Sequence, residues 1–300
     1  PPALYPPLPL VQYMPVTRVH RRGTFLLSEM RGEIGGLQPY RGIHASRESM
    51  EQREESRVRR QEVVRQKSTG RRSLFIMRIG GFIKQSLIDW EGKVTSVIFT
   101  KGCNFRCGYC HNPYLVLPEL IRQTRDMEEV EILNFLSKRR HWLDGVVISG
   151  GEPTLQKDLP DFTRRIKEFG LPVKLDTNGS NPDILKQLIR DRSIDCIAMD
   201  IKSVLSPPCY QKVNYTTNAS LLEKIKQSIQ IIKHSGLEYQ FRTTVIPQVQ
   251  TLEEIENLKE QFADSCYIIQ EFRDGDILDN HLLINTYHAG VSPQENDCHK

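Results

Sequence analysis

Six short apolar runs recur along the chain with helical segments between them, and this alternation restricts the fold more than any other feature. "VTSVIFT" (94–100), "GVVISG" (145–150), "PVKLDT" (172–177), "CIAMDI" (196–201), "YQFRTTVI" (239–246) and "CYIIQEF" (266–272) have the length and the β-branched content of buried strands. Between them "MEEVEILNFLSKRR", "KDLPDFTRRIKEFG", "NPDILKQLIRDR", "ASLLEKIKQSIQIIKHSG" and "LEEIENLKEQFAD" return apolar residues at helical intervals, and Gly170 and Gly236 stand where two of these helices should stop. Repeated strand–helix–strand units predict an α/β fold whose parallel sheet is joined by right-handed crossovers. Six units are fewer than the eight that close a barrel. The expectation is therefore an open, partial parallel βα barrel of about six units, TIM-barrel-like, with a flat doubly wound sheet as the alternative.

Chemistry-bearing residues follow the runs. After the first comes "GCNFRCGYCHN" (102–112), after the second "GGEPT" (150–154), after the third "DTNG" (176–179) and after the fourth "DIKS" (200–203). Carboxyl ends of strands are the face on which βα folds place their sites. Arg242 and Gln270, near the ends of the last two runs, point to the same mouth.

The cysteine loop carries the sharpest signal. Cys103, Cys107 and Cys110 are spaced by four and three residues, and His111 follows directly. The chain has seven cysteines, an odd number, and its opening "PPALYPPLPL" lacks the pattern of a secretory signal, so reduced thiols in a cytoplasmic protein are expected. A structural zinc site closes its tetrahedron with four ligands, which here would require His111. A 4Fe–4S cluster also has four corners, usually each held by a thiolate; three thiolates leave one iron open to a substrate or cofactor. Cys196 and Cys266, each opening an apolar run, read as buried small hydrophobes.

Charge separates the first quarter from the rest. Residues 1–76 hold 14 Lys and Arg against 7 Asp and Glu, whereas the whole chain holds 41 against 37, so the body after Met77 is mildly acidic and offers no basic footprint for nucleic acid. No run of about 18 apolar residues predicts a membrane span. Residues 1–76, proline-rich and then arginine-rich, read as a disordered leader with too little apolar surface to offset chain entropy, ahead of one domain over 77–300. Activity is expected to survive removal of that leader.

With these residues in place, the chain resembles the radical S-adenosylmethionine enzymes, which carry a C-x3-C-x2-C loop after the first strand of a partial barrel. The stretches "GKVTSVIFTKGCNFRCGYCHNP", "SGGEPTLQKDLPDF", "LDTNGSNPDIL" and "AMDIKS" resemble the activating enzymes of glycyl-radical proteins, most of all the anaerobic ribonucleoside-triphosphate reductase activating type, from Met77 to about Tyr287. The resemblance implies a 4Fe–4S cluster on Cys103, Cys107 and Cys110, with S-adenosylmethionine chelated to the open iron. Reductive cleavage would yield a 5′-deoxyadenosyl radical that takes a hydrogen from one glycine of a partner enzyme, with flavodoxin or ferredoxin as electron donor.

The same resemblance implies the remaining roles. Gly150, Gly151, Glu152 and Pro153 lie along the methionine end of the cofactor, where the glycines admit the backbone closely and Glu152 accepts from the ammonium group. Asn112 lies near the cofactor. Asp176 and Asp200, with Thr177 adjacent, face a monovalent cation or the cofactor, because two carboxylates that close require positive charge between them. Lys202 lies at the cofactor's polar end, and Arg242 is left open between the cofactor carboxylate and an internal ion pair. Asn178 and Gly179 read as turn formers. Two other functions compete: a radical enzyme acting on a small molecule, like the 7-carboxy-7-deazaguanine synthases, and a structural zinc module using His111.

Overall fold

The computed structural model describes residues 77–215, 218–246, 249–273, 275 and 277–279; the expected leader over 1–76 lies outside them. Seven strands form one sheet in the order of the sequence: β1 (Ile79–Ser86), β2 (Thr95–Thr100), β3 (Gly145–Gly150), β4 (Val173–Thr177), β5 (Cys196–Asp200), β6 (Glu238–Val245) and β7 (Tyr267–Glu271). The last six are parallel and correspond to the six apolar runs, while β1 is an added antiparallel edge on β2.

Eight α-helices connect them: α1 (Pro113–Val116), α2 (Pro118–Ile121), α3 (Glu129–Arg139), α4 (Leu159–Lys167), α5 (Pro182–Arg190), α6 (Pro207–Val213), α7 (Ala219–Lys233) and α8 (Leu252–Gln261), among the described residues. The five expected helices are α3, α4, α5, α7 and α8. The short α1, α2 and α6 each begin with proline, whose fixed φ suits a first helical turn.

Strict sequential order from β2 to β7 decides between the two expected architectures. A doubly wound sheet reverses its strand order at a switch point, and this sheet never does. Winding in one sense puts the crossover helices on one side of the sheet. The large core lies there: Ile98, Val146, Ile148, Val173, Leu175, Ile197, Met199 and Phe241 of the strands meet Leu136, Phe162, Ile166, Leu185, Leu188, Ile225, Ile229 and Leu258 of the helices. The opposite, inner face has only a small apolar cluster around Trp90, Val97, Phe99, Val147 and Cys196. Above it the inner face turns polar, and β1 and β7 remain as two unjoined edges, so the barrel is partial and open. No helix among the described residues is long and apolar enough to cross a membrane.

Candidate active site

The site begins where β2 and β3 end. Thr100 and Gly150 are register partners, and the pairing continues past both strands: the Gly151 N–H donates to Thr100 O at 2.9 Å and the Glu152 N–H to Gly102 O at 2.8 Å. This seam lays the "GGE" turn against the residue before Cys103. Glycine is required by the seam itself. Gly150 has φ +117°, and a Cβ there would stand 2.3 Å from Thr100 N; a Cβ on Gly151 would stand 2.2 Å from Gly102 O. The close approach that these glycines permit is thus first of all between the two loops.

Cys103, Cys107 and Cys110 are all free thiols on the loop after β2. The Phe105 N–H donates to Cys103 Sγ at 3.3 Å, the Cys110 N–H to Cys107 O at 3.1 Å, and the Asn112 N–H favours the ionised Cys110. Burial pushes the Cys103 thiol up to about 12, and the charges of Glu152, Cys107 and Cys110 push the same way. Cys107 is likewise raised to about 12, by burial above all and then by the charges of Cys110 and Asp200, against the opposing charge of Lys202. Three such thiolates cannot coexist bare; a cationic group held between them relieves both the burial and the mutual repulsion.

His111 takes no part in this cluster. Its Nε2 is 2.8 Å from Arg273 O, and its ring lies 5.5 Å from that of Phe272. With His111 engaged elsewhere, Cys103, Cys107 and Cys110 are the thiols this loop offers, a set that suits a cluster with an open corner better than a closed tetrahedral zinc site.

Glu152 joins this turn to the loop after β4. Its side chain is fully buried and bonded inside the protein: Oε1 accepts from Thr154 N (3.1 Å), from the Thr154 hydroxyl and from the Thr177 hydroxyl (2.7 Å), while Oε2 accepts from Asn178 N (2.7 Å). Burial raises its pKa and these donors lower it, with burial the larger effect. The carboxylate clasps the β3 loop to the β4 loop. Thr177 completes the clasp by accepting the Gly179 N–H at 3.1 Å.

Alternating charges line the inner mouth. Arg242 on β6 places Nε 2.8 Å from Asp200 Oδ1 and Nη2 3.6 Å from Asp176 Oδ2. Lys202 Nζ lies 3.0 Å from Asp200 Oδ2 and 5.6 Å from the centre of the Tyr109 ring. Burial alone would raise Asp200, but Arg242 and Lys202 hold it at about 2. Asp200 in turn holds Lys202 well above the ordinary lysine value against the opposing pull of burial. Arg242 supplies positive charge to both aspartates. Asp176 Oδ1, which is buried, has no hydrogen-bond partner and lies 3.9 Å from Lys174 Nζ.

The other expected residues fall where the loops converge. Pro153 is buried at the start of a 3-10 turn over Pro153–Leu155, and Asn112 is the half-buried residue before α1. Gln270 is half-buried on β7. Cys196 is buried as expected, whereas Cys266 is only half-buried and is disulfide-bonded.

Two features escaped the sequence reading. Asn178 is more than a turn former: its Nδ2 lies 3.1 Å from Asn104 Oδ1 and 4.0 Å from Cys103 Sγ. The segment after β7 also straps the cysteine loop, through Leu278 N to Cys110 O and Asp279 N to Gly108 O, both 2.9 Å. The "N" of "DTNG" was a usable signal for the first; nothing in the polar tail signalled the second.

Residues 97–262 match the radical SAM superfamily. The chain belongs to that superfamily. It is 36% identical over 206 residues, 68% of this chain and 83% of the relative, to a Methanocaldococcus jannaschii protein that carries the name glycyl-radical enzyme activating enzyme. A second protein of that organism with the same name is 32% identical over 193 residues, covering 62% of this chain and 69% of that one. The pyruvate formate-lyase-activating enzyme of Clostridium pasteurianum is 31% identical over 132 residues, 42% of this chain and 53% of the relative. Membership makes this radical SAM chain an enzyme, and the family's 4Fe–4S cluster and S-adenosylmethionine fit the three-thiolate loop described above.

Proposed function

We propose that this chain activates a glycyl-radical enzyme, the partner being of the anaerobic ribonucleoside-triphosphate reductase type. The observation that carries this reading is the loop of three free cysteines seated against the "GGE" turn while His111 is engaged elsewhere. Support for the protein substrate comes from the relatives named as glycyl-radical activators.

When bound, the cluster supplies one electron to the sulfonium of S-adenosylmethionine, which departs as methionine and 5′-deoxyadenosine, the latter carrying the hydrogen taken from a glycine Cα. The protein's own residues bind and orient. Cys103, Cys107 and Cys110 hold the cluster. The main chain of Gly150, Gly151 and Pro153 lines the methionine end, fixed there by the Glu152 clasp. Asp200 and Lys202, already paired, would hold the polar end of the cofactor, with Asp176, Thr177 and Arg242 as further residues of its site. Asn112, next but one to Cys110, would contact the cofactor from the cysteine loop. Side chains already paired in the absence of ligand need little reorganisation when it arrives. A cytoplasmic one-electron donor such as flavodoxin or ferredoxin completes the system.

Mixing the reduced enzyme, S-adenosylmethionine and a candidate reductase under anaerobic conditions tests the reading. A glycyl-radical doublet in the paramagnetic resonance spectrum is expected. Cofactor cleavage without a doublet from any such partner would favour a small-molecule substrate.

A further inference from the structure

Asn178 links Glu152 to Cys103: its main-chain N–H donates to Glu152 Oε2 at 2.7 Å, its Nδ2 lies 4.0 Å from Cys103 Sγ, and both Glu152 and Asn178 are buried. Three donors converge on Glu152 Oε1, a demand that an anionic oxygen meets and a neutral carboxyl meets poorly.

The Asn178 amide is fixed in orientation. Its Oδ1 accepts the Ser180 N–H at 2.9 Å, so its NH2 group must face the other way, one hydrogen toward Asn104 Oδ1 at 3.1 Å. Asn104 is fixed in turn, because its own NH2 group donates to Ser180 Oγ at 2.9 Å. The second Asn178 hydrogen is left to Cys103 Sγ, 4.0 Å from Nδ2.

We propose that Glu152 and Asn178 are positioning residues that tune, in opposite directions, the electron affinity of the iron–sulfur cluster held by Cys103. The inference rests on the reading of the three cysteines as cluster ligands. A buried negative charge disfavours adding an electron to a neighbouring group, whereas an N–H directed at a ligand sulfur favours it. Glu152 thus makes the cluster a stronger reductant, and Asn178 moderates it. The Asn178 main-chain N–H joins the two by donating to Glu152 Oε2 at 2.7 Å, so both effects arrive through one residue pair.

Anaerobically reconstituted wild type, Glu152→Gln, Asn178→Ala and Asn178→Asp are assayed for iron and sulfide, then titrated potentiometrically with the reduced-cluster signal as readout. With unchanged iron content, the midpoint potentials should rise in the order Asn178→Asp, Asn178→Ala, wild type, Glu152→Gln. A merely structural role would alter iron content or stability without this order. Should Glu152→Gln fail to load iron, the two Asn178 variants still decide, since Asn178→Asp must lie below Asn178→Ala and both below wild type. Unshifted potentials, or a Glu152→Gln shift downward, would overturn the proposal. A wild-type chain that takes up no iron would overturn the cluster reading itself, and the proposal with it; the iron assay separates the two failures.

Discussion

Arg242 Nε stands 2.8 Å from Asp200 Oδ1 at a parallel register pair of β6 and β5, and the same guanidinium reaches toward Asp176 on β4. Three strands that are far apart in sequence are thereby tied at the mouth of the site by one side chain that is 12% exposed. Arg242→Met keeps much of the volume and removes the charge, leaving two carboxylates without it. Breaking a buried pair from one side costs about 3–5 kcal/mol, so a fall in melting temperature of several degrees is expected by calorimetry. An unchanged melting temperature would show that the guanidinium does not stabilise the three strands.

The same pair sets an acid limb of stability. The folded pKa of Asp200 is about 2, against an ordinary value of 3.8. Its contribution is present above pH 3.8 and is lost as pH falls toward 2. Because the side chain is 32% exposed, about 1 kcal/mol is a reasonable share after screening. Asp200→Asn should flatten denaturant-derived stability across that window.

Asp89 behaves in the opposite sense. Burial, then the charge of Asp176, lifts its carboxyl to about 7, against the opposing charges of Lys174 and Arg242. Its Oδ1 is buried without a hydrogen-bond partner. The stability it confers is complete below about pH 3.8 and drains away as pH rises through 7. Asp89→Asn cannot ionise and should raise the melting temperature at pH 8 while changing little at pH 4. A loss at pH 8 would mean that the charged form is the native one.

Gly151→Ala tests the seam between the cysteine loop and the "GGE" turn. The added Cβ would sit 2.2 Å from Gly102 O, a main-chain atom that cannot swing aside. Iron uptake on reconstitution is expected to fall several-fold although no ligand has been removed. Full uptake would show that the two loops are positioned independently.

Cysteine substitutions separate ligands from filler. Cys107→Ala should abolish iron uptake, while Cys196→Ala, 3% exposed on the inner face, should load normally and lose about 1 kcal/mol of stability from a small cavity. His111→Ala should also load normally, because its ring is engaged with Arg273 O and Phe272.

Much of this architecture could be read from the residues, and the gaps have physical causes. β2 to β5 are buried along most of their length on both faces, so they announce themselves as apolar runs, and the half-buried β6 and β7 still carry enough β-branched and aromatic residues to be found. β1 did not: "IGGFIKQS" is an edge strand whose Lys84 and Gln85 are exposed, and it has neither a continuous apolar run nor strict alternation. The cysteines were legible because their spacing is local. The clasp of Glu152 on Thr177 and Asn178 was not, since it depends on β3 lying beside β4 in a particular register. Asp176 and Asp200 were placed together by neighbouring strands, whereas the reach of Arg242 to both is a matter of side-chain geometry. The strap from Leu278 and Asp279 to the cysteine loop lies in a segment whose composition carries no periodic signal.

The central claim is that three thiolates hold a cluster whose remaining iron is free for S-adenosylmethionine. The most direct measurement loads the chain anaerobically with iron and sulfide, reduces it with dithionite and supplies S-adenosylmethionine. The account predicts about four irons per chain and equal amounts of 5′-deoxyadenosine and methionine. A fully loaded, fully reduced cluster that leaves S-adenosylmethionine intact would contradict it.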